Sequence, residues 1–345
     1  MLPKISIAMP TLNSIKVLKA CLDSITRQDY PKSRVEIIVA DGGSTDGTIE
    51  LAKKYGAKVF HNKLKTAEAG KVVAVKNTTG DFIGLIDSDN VLPTKNWFKQ
   101  MIKPLLKHPK ALGSEPWKYT WRKKDSFITR YSALIGMNDP FVHFLGNYDR
   151  FNLLTGKWTE VKREEKDYGK YILAKFNEDG GLPTIGANGA VFRADFLKKN
   201  INGDYLFDID ILSSYLQKKK EVTFIKVKNG IIHTFCEADI FKFAKKQRRR
   251  VRDFMFHKWL IKDRYYKWYD KDIFGKEPWG MVKFILSCVT VVPLLYQALK
   301  GYLKKPDPAW FFHPLACEIT LWEYGWGRVL SIFKKQELSR KGWKQ

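Results

Sequence analysis

Hydrophobic residues in the first third of the chain follow two alternating patterns. Short apolar runs typical of buried strands cover residues 5–9, 35–40, 59–60 and 82–86. Segments with helical spacing lie between and after them, at residues 15–25, 48–55, 70–77 and 97–106. Repeated alternation of strand and helix with short loops predicts a parallel sheet covered by helices.

The pattern becomes less regular after residue 110. Residues 113–181 mix aromatic and charged residues with several glycines and prolines, and no element can be assigned to them. Residues 182–193 predict a strand and a turn rich in small residues, and a helix follows over 194–199. Asp208 and Asp210 open another helix, where acids favour the N-terminus. Strand-like patterns then follow at residues 222–227 and 230–233.

The last third of the chain combines basic, aromatic and apolar segments. Residues 241–271 contain 12 Lys and Arg against three acids. Residues 284–298 carry no charge, although Pro293 interrupts them and Lys283 and Lys300 bracket them. These 15 residues fall short of the ~20 that span a bilayer. We therefore expect a helix in the membrane interface, with a tilted span as the open alternative.

Composition and charge limit the kinds of partner. The chain has 345 residues, of which 44% are hydrophobic, and its formal net charge is +25. Residues 241–345 hold 23 Lys and Arg against 9 Asp and Glu, or +14, so the first 240 residues supply the other +11. Such an excess predicts an anionic partner, which could be nucleic acid, anionic lipid head groups or a phosphorylated substrate.

The cysteines and the start of the chain bear on its location. The four cysteines are scattered without a Cys-x-x-Cys pair, which argues against a zinc ribbon or a disulfide framework and fits a reducing compartment. A strand is predicted almost at once, without the basic region and apolar stretch of a signal peptide. We therefore expect the protein on the cytoplasmic side.

The stretch with the clearest chemistry is residues 82–90, FIGLIDSDN, in which an apolar strand ends in Asp87 and Asp89. Carboxylates suit hard divalent cations, and open α/β sheets bind ligands beyond the carboxyl ends of their strands. An Asp-x-Asp strand end can hold Mg²⁺ or Mn²⁺ against a diphosphate and leave positions open for phosphate oxygens. The alternative is a pair of acids that cap a following helix.

Five motifs in order make the chain resemble the inverting nucleotide-sugar glycosyltransferases of family 2. They are PTLN at 10–13, ADGGSTDGT at 40–48, the helix at 70–77, DSD at 87–89 and FDID at 207–210. The resemblance covers residues 4 to about 240. It implies the GT-A fold, a Rossmann-like, mostly parallel sheet covered by helices, with Mg²⁺ or Mn²⁺ as cofactor.

The resemblance also implies a donor site. The donor-binding residues it implies are Pro10, Thr11, Asn13, Asp41, Lys71 and Asp87, and the metal ligands are Asp89 and Asp87. By this resemblance, Asp41 would bind the base of the nucleotide. The local sequence also fits another role, in which Asp41 accepts hydrogen bonds within its own turn from the glycines after it. Asp46 precedes Gly47 and Thr48, and we expect it to cap the next helix rather than to join the site.

The predicted catalytic base is Asp210, with Asp208 in reserve. An inverting transfer to a hydroxyl needs a carboxylate to accept the proton while the nucleotide diphosphate leaves. The family has a Glu-Asp pair here, whereas this chain has Ile209-Asp210, so the Glu is missing. A phosphate monoester acceptor would need no base, and Asp210 would then bind the acceptor or cap the helix.

His233, late in the domain, has two open roles. A lone histidine is often structural, but related enzymes often place one here near the metal or the diphosphate.

The residues 186–189, Gly-Ala-Asn-Gly, resemble the acceptor loop of the family, so Asn188 and Gly189 would lie near the acceptor. A tight turn is the alternative interpretation.

The sequence QRRR at residues 247–250 resembles the Gln-x-x-Arg-Trp motif of processive family members. Gln247 and Arg250 would then reach the diphosphate or the acceptor. Val251 stands where the motif has Trp, which argues against processive polymer synthesis. A solvated basic face is the alternative for this charge run.

We therefore predict a glycosyltransferase domain over residues 1–240 and a basic, aromatic, membrane-associating helical region over 241–345. The leading hypothesis is a metal-dependent transfer from a UDP- or GDP-sugar to a lipid-linked acceptor, either a polyprenyl or dolichyl phosphate or a lipid-linked glycan. The protein would be peripheral or monotopic on the cytoplasmic face, against an anionic membrane surface.

Two alternatives come from other classes of function. One is a basic nucleic-acid-binding protein on a nucleotide-binding scaffold, which the interleaved basic and aromatic residues favour. The apolar stretch argues against it, because nucleic acid offers that surface nothing to bury against, and we expect no nucleic acid partner. The other is a nucleotidyltransferase, which also uses paired acids but is not supported by Asp210 or the acceptor loop.

Overall fold

The computed structural model describes residues 2–201, 203–206, 208–260 and 279–333, without the side chains of residues 208, 253–260 and 331–333. The chain divides into two compact units. The first comprises Met1–Thr120 and Lys162–His233, and the second comprises Trp121–Val161 and Thr234–Gln345. The first unit is therefore made of two separate stretches of chain.

All strands lie in the first unit, as far as the chain is described. They are β1 (Ile5–Thr11), β2 (Val35–Asp41), β3 (Lys58–His61), β4 (Phe82–Leu85), β5 (Asn90–Val91), β6 (Gly113–Tyr119), β7 (Glu164–Asp167), β8 (Tyr171–Asn177), β9 (Ala190–Arg193) and β10 (Glu221–His233). The helices of this unit are α1 (Ile15–Thr26), α2 (Thr48–Lys54), α3 (Ala67–Lys76), α4 (Trp97–Lys107), α7 (Ala194–Asn200) and α8 (Asp208–Lys219).

The second unit is helical. Its helices are α5 (Phe127–Ile135), α6 (Phe141–Leu145), α9 (Ile240–Leu260), α10 (Trp279–Thr290), α11 (Val292–Lys304) and α12 (His313–Phe333). A 3₁₀ turn over Pro308–Phe312 precedes α12. The larger apolar cluster of the unit surrounds the buried side chains of Tyr131, Phe243 and Trp310. The smaller one comprises Phe141, Phe284, Cys288, Leu294 and Cys317.

The sheet confirms the predicted fold class. Its strands follow the order β3-β2-β1-β4-β9-β6-β10-β8-β7, and β5 pairs with β10 off this path. The strands β3, β2, β1 and β4 are parallel, and so are β6 and β10. β9 is antiparallel to both β4 and β6, and β8 is antiparallel to β10 and β7. Because β4 and β6 thus point the same way, the sheet is mixed but mostly parallel.

The register of β1 brings the chemically interesting strand ends to one edge of the sheet. Thr11 at the end of β1 pairs with Asp41 at the end of β2, and Ala8 pairs with Leu85 of β4. Every residue of β1 and β4 is buried. The turns that follow these strands therefore meet at the carboxyl edge, where open α/β sheets bind ligands.

Most predicted elements are present, with bounds that shift slightly. The unassigned stretch 113–181 contains β6, α5, α6, β7 and β8. The two strand-like segments after residue 221 form one strand, β10, with a register irregularity between Val227 and Gly230. The periodic pattern thus located the regular elements but not those that depend on distant partners.

The division of the chain differs from the predicted boundary at residue 240. That prediction assigned residues 121–161 to the first domain, whereas these residues pack with the C-terminal helices in the second unit. The reason is visible in α5, whose buried residues Ile128 and Tyr131 belong to the same apolar cluster as Phe243 and Trp310. Burial of these rings, and not order along the chain, determines the unit.

The single helix predicted for the apolar stretch near residues 280–303 is wrong. That stretch forms α10 and α11, which meet at 94°. Val291 at the break has φ 60°, in the left-handed region, so the helix cannot continue through it. None of the described helices has by itself the length and apolar character to cross a membrane, while this bent pair satisfies both criteria jointly.

Helices α9 and α12 approach closely at one point. A Cβ added to Gly327 would lie 2.6 Å from Val251 Cγ1, so glycine is required for the contact. Nearby, Arg248 donates from Nε and Nη2 to the two carboxylate oxygens of Glu323, at 2.7 Å each. Arg248, within the QRRR stretch, and Val251, directly after it, therefore both contact α12.

Two histidines lie in one polar cluster of the second unit, His313 fully buried and His143 half-buried. His313 Nε2 lies 2.7 Å from Gln297 Oε1, which only accepts, so Nε2 carries the proton and Nδ1 accepts from the Tyr131 hydroxyl at 2.7 Å. His143 Nδ1 lies 2.9 Å from Asn152 Nδ2. Burial lowers the pKa of His313 to about 3 and the pKa of His143 to about 4. Both rings are therefore neutral near pH 7.

We expect the protein to lose stability as the pH falls from about 7 to about 5. Both histidines have a folded pKa below the unfolded value near 6.5, so the unfolded chain binds more protons in this range. Their contribution is complete above pH ~6.5 and declines toward the folded pKa values, by about 2 kcal/mol per histidine at pH ~5. Urea unfolding at the two pH values measures the loss.

His143→Gln tests the assignment, because it removes one titrating ring and keeps a polar partner for Asn152. The pH dependence of the unfolding free energy should shrink by about half. His61→Gln, at an exposed position of β3, is the matched control and should leave the pH dependence unchanged. Equal pH dependence in wild type and His143→Gln would contradict the account.

Candidate active site

Asp41, at the end of β2, holds the turn that follows it. Its side chain is buried, and Oδ1 accepts from the backbone N–H groups of Gly43 at 2.8 Å and Ser44 at 2.7 Å. Oδ2 accepts from Thr11 Oγ1 at 2.8 Å and Ser44 Oγ at 2.6 Å. These four bonds match the four lone-pair sites of a carboxylate. A nucleobase contact would have to replace one of them. Thr11 and Ser44 both donate through hydroxyls that can rotate, and Ser44 is the less buried of the two.

Asn13 fastens the loop after β1 to the same turn. Its φ of 48° lies in the left-handed region, which Asn tolerates better than most residues. Its N–H donates to Ser44 Oγ at 2.7 Å, and its Oδ1 accepts from the Thr45 N–H at 3.0 Å. Of the predicted donor residues here, Pro10 and Thr11 are buried in β1, and Asn13 is exposed.

Asp46 joins the starts of two helices, in keeping with the predicted capping role. Oδ1 accepts from the Thr48 N–H at 3.1 Å and from Thr48 Oγ1 at 2.6 Å, and Oδ2 accepts from the Ile15 N–H at 3.1 Å. Burial opposes the charged form, but these bonds outweigh it and lower the pKa of Asp46. Asp46 therefore stabilises the frame of the site.

Lys71 lies in α3 with its side chain buried. The neighbouring Gly70 makes the close approach of α3 to β1, because a Cβ there would lie 2.8 Å from Pro10 Cβ. The glycine thus lets α3 pack against the strand end that leads into the Asn13 turn. This packing brings the predicted Lys71 and Pro10 to one region.

Asn90 connects the acidic strand end with the predicted acceptor loop. It is fully buried, its N–H donates to the Asp87 carbonyl at 3.0 Å, and its Oδ1 accepts from the Asp87 N–H at 3.1 Å. Its Nδ2 donates to Asn188 Oδ1 at 2.9 Å and lies 3.3 Å from Asp89 Oδ1. One amide therefore fixes the turn from Asp87 to Asp89 and ties it to Asn188.

Asp89 and His233 lie within ion-pair distance of each other. Asp89 Oδ2 lies 3.3 Å from His233 Nε2, and the pairing of β5 with β10 sets His233 opposite Asn90. Carboxylate oxygens suit Mg²⁺ and Mn²⁺, while imidazole favours transition metals. Across the described ranges, no group of three or more His, Cys, Asp or Glu could hold a metal ion. A cation here would therefore depend on non-protein ligands as well.

Tyr119 and Cys21 complete the surroundings of this pair. The Tyr119 ring lies 5.5 Å from the His233 ring, and its hydroxyl lies 3.4 Å from Asn188 Nδ2. Cys21 Sγ lies 3.7 Å from the Asp87 carbonyl oxygen. Burial, with the nearby charges of Asp89 and Asp87, raises the pKa of the Cys21 thiol well above its usual value. The thiol therefore stays protonated.

The loop at residues 186–189 is held by backbone geometry. Asn188 has φ 64° and Gly189 has φ 94°, and the Gly189 N–H donates to the Leu85 carbonyl at 2.9 Å. A Cβ on Gly189 would lie 2.6 Å from Ile231 Cδ1, and the positive φ favours glycine at this position. The loop is thereby fixed to the end of β4.

A buried ion pair holds the start of the same loop. Glu115 Oε2 accepts from Lys226 Nζ at 2.5 Å, and both side chains are almost fully buried. Glu115 Oε1 accepts from the Gly186 N–H at 3.3 Å. Because removal of one partner would leave a buried charge, this pair constrains the loop strongly.

The remaining predicted residues divide between the two units. Asp210 is buried in the first turn of α8, and Asp208 begins that helix, although its side chain lies outside the described part. Gln247 is fully buried in the second unit and donates to the Asn138 carbonyl at 3.0 Å. Arg250 donates to the same carbonyl at 2.9 Å and to Gln247 Oε1 at 2.7 Å. A diphosphate contact by either would require these bonds to open.

Sequence reasoning gave no role to Asn90, Tyr119, Glu115 or Lys226. Asn90 directly follows the DSD motif, and a polar residue there was the available signal. Glu115 and Lys226 lie 111 positions apart and become direct neighbours because β6 pairs with β10 in parallel. No local pattern could have indicated that pair.

Asn90→Ala should reduce stability and metal binding together. The variant removes the partners of a buried backbone N–H and of Asn188, and each unsatisfied buried group costs about 1–3 kcal/mol. It also frees the turn that holds Asp89, so Mn²⁺ affinity measured by electron paramagnetic resonance should fall several-fold.

Asn188→Ala is the comparison variant, because it removes one hydrogen bond of Asn90 and leaves the turn from Asp87 to Asp89 in place. Its loss of stability and of Mn²⁺ affinity should be smaller. Wild-type stability in Asn90→Ala would contradict the central position of this amide.

Comparison with known proteins identifies relatives of the first part of the chain. Residues 6–129 match the family Glycosyl transferase family 2. The chain is 36% identical over 95 residues to poly(ribitol-phosphate) beta-N-acetylglucosaminyltransferase TarS of Staphylococcus aureus, which covers 26% of this chain and 17% of that protein. It is 38% identical over 106 residues to a Methanococcus voltae protein, which covers 29% of this chain and 33% of that protein. That relative is named dolichyl N-acetyl-alpha-D-glucosaminyl phosphate 3-beta-D-2,3-diacetamido-2,3-dideoxy-beta-D-glucuronosyltransferase.

A solved structure shares the fold. The mannosyltransferase PcManGT from Pyrobaculum calidifontis, in complex with GDP-Man and Mn²⁺, matches with a TM-score of 0.54 and 15% identity over 94% of this chain and 88% of that one. The matched sequence spans less than two thirds of the length of either relative, so the comparison identifies a domain. Residues 6–129 therefore match a glycosyltransferase family 2 domain, and the sheet and its helices have the GT-A-like fold.

Proposed function

We propose that the protein is an inverting, metal-dependent glycosyltransferase that moves a sugar from a nucleotide-diphosphate sugar to a lipid-linked acceptor. The observation that carries the proposal is the Asp89–His233 pair, 3.3 Å apart and joined through Asn90 to Asp87 and Asn188, beside β4 of a family 2 domain. Donor and acceptor would meet here because the acidic turn and the small-residue loop share one amide.

The donor side consists of the turns after β1 and β2. Asp41, with Thr11 and Asn13, would receive the base of a UDP- or GDP-sugar, in exchange for the Ser44 hydroxyl that now occupies Oδ2. Lys71 and Asp87 would complete the nucleotide contacts. The relative that shares the fold binds GDP-Man, which supports a nucleotide-sugar donor without choosing between uracil and guanine.

Asp89, with Asp87 and His233, would hold Mg²⁺ or Mn²⁺. When bound, the cation would neutralise the diphosphate as the bond to the sugar breaks. The chemistry of these donors, carboxylate oxygens and one imidazole nitrogen, fits such a cation, and phosphate oxygens and water would supply the remaining ligands. The fold relative contains Mn²⁺, which favours the same class of cation.

On the acceptor side, Asn188 and Gly189 would let the acceptor approach, because Gly189 has no side chain and is held at φ 94°. Asp210, in the first turn of α8, would accept the proton from an acceptor hydroxyl. Gln247 and Arg250 remain candidates for diphosphate or acceptor contacts.

The acceptor is proposed to be lipid-linked and to lie at an anionic membrane surface on the cytoplasmic face. A polyprenyl or dolichyl phosphate, or a glycan carried on one, fits the excess of basic residues. The Methanococcus voltae relative is named for a dolichyl phosphate-linked sugar, which supports this acceptor class. The protein would be peripheral or monotopic, and the nucleic-acid and nucleotidyltransferase alternatives have no comparable support.

Asp89→Ala tests the metal role. Sugar transfer, or donor hydrolysis, in the presence of Mn²⁺ should fall by about 10²-fold or more, because the diphosphate loses electrostatic stabilisation. A panel of UDP- and GDP-sugars identifies the donor first. Asp195→Asn, at an exposed acid of α7, is the control and should keep wild-type activity. Full activity in Asp89→Ala would rule out the metal role.

Asp210→Asn separates two acceptor chemistries. With a hydroxyl acceptor, loss of the base should lower kcat by about 10²- to 10⁴-fold and remove the acidic limb of the pH profile. With a phosphate acceptor the nucleophile is already anionic, and kcat should change little. A large loss of kcat with an unchanged pH profile would contradict the role as base.

A further inference from the structure

The bend between α10 and α11 exposes a compact apolar tip, residues 289–293. The exposed fraction is 71% for Val289, 68% for Val292 and 37% for Val291, and Thr290 and Pro293 are exposed too. Contiguous exposed apolar side chains on a protein surface commonly mark a site of protein or membrane interaction. The tip is therefore a candidate interaction surface.

Packing and hydrogen bonds within the second unit hold the tip in this conformation. Its inner sides are buried, since Phe284 and Cys288 of α10 and Leu294 of α11 belong to one apolar cluster. The Val291 N–H donates to the Ser287 carbonyl at 2.9 Å, and the Val291 carbonyl accepts from Leu294 and Leu295. A β-branched residue at φ 60° is strained, and such strain persists where the surrounding packing enforces it.

Charge is graded along the bend. Residues 284–299 carry no charge, and exposed lysines stand at both open ends, Lys283 on α10 and Lys300 on α11. Aromatic rings lie nearer those ends, with Trp279 62% and Tyr296 63% exposed. Apolar residues at the vertex, followed along both arms by exposed lysines and amphipathic rings, match the polarity gradient from acyl chains to anionic head groups.

We propose that residues 289–293 enter one leaflet of an anionic bilayer, with Lys283 and Lys300 at its head groups. The proposal rests on the membrane location proposed above and names the part of the chain that makes the contact. It commits to a lipid surface because a protein or nucleic acid partner would not require the lysines to lie at both ends of an uncharged bend.

The dimensions of the bend fit this placement. Lys283 precedes Val291 by eight residues, or about 12 Å of helix. With the two arms at 94° and equally tilted, the vertex lies roughly 8 Å beyond the level of the lysines. Interfacial helices bury their apolar face by about 5–10 Å, and one leaflet of hydrocarbon is about 15 Å deep. The tip would enter the membrane without crossing it.

Vesicle sedimentation tests the proposal without sugar transfer, so its failure leaves the donor chemistry to the Asp89→Ala assay. Wild-type protein should bind vesicles of phosphatidylcholine with phosphatidylglycerol and bind vesicles of phosphatidylcholine alone more weakly. The double variant Val289→Asp with Val292→Asp should weaken binding to the anionic vesicles at least about tenfold. Leu106→Asp, 52% exposed on α4, is the matched control and should bind like wild type.

A depth probe separates insertion from adsorption through lysines. Val289→Cys labelled with nitrobenzoxadiazole should brighten and shift to the blue with anionic vesicles, and labelled Leu106→Cys should not. Wild-type binding by the double aspartate variant, or an aqueous signal from position 289 in the bound protein, would overturn the proposal. So would a lipid-free dimer of the wild type that the aspartates convert to monomer, because the tip would then bind a second copy.

Discussion

The buried amide of Asn90 is the interaction on which the candidate site depends. An amide has two donors and two acceptor positions, and here they bind the backbone of Asp87, the carboxylate of Asp89 and the side chain of Asn188. Two of these partners lie in the acidic turn, and the third lies in the loop after residue 186. The position of a carboxylate relative to that loop is thus set by hydrogen bonds inside the protein, before any ligand arrives.

The same principle explains the turn at Asp41. The buried carboxylate of Asp41 accepts four hydrogen bonds, and these bonds fix the loop that follows it. If Asp41 binds a ligand, a donor of that ligand must replace one of these four donors with a hydrogen bond of similar strength. Ser44 Oγ is suited to that exchange, because a hydroxyl can rotate, whereas the two backbone N–H groups cannot.

The sequence was most informative where structure is local. β1 to β4 and the helices between them could be predicted, because each combines a short apolar run with its own turn residues. β6 could not, because Glu115 within it is buried against Lys226 of the distant β10, and β7 consists of exposed charged residues. In the site, Asp87 and Asp89 were evident as neighbours in the chain. The contact of Asp89 with His233 depends on the pairing of β5 with β10, which no sequence period reveals.

The contact between Val251 and Gly327 has a consequence for how the chain can change. Val251 occupies the position at which processive relatives are expected to carry Trp. It already packs closely against Gly327, because a Cβ on residue 327 would lie only 2.6 Å from Val251 Cγ1. An indole in that place has no volume to occupy unless α9 and α12 separate, which would stretch the Arg248–Glu323 pair. The side chains of residues 251 and 327 therefore limit each other in volume. A change of Val251 to Trp would require a change in α12 at the same time.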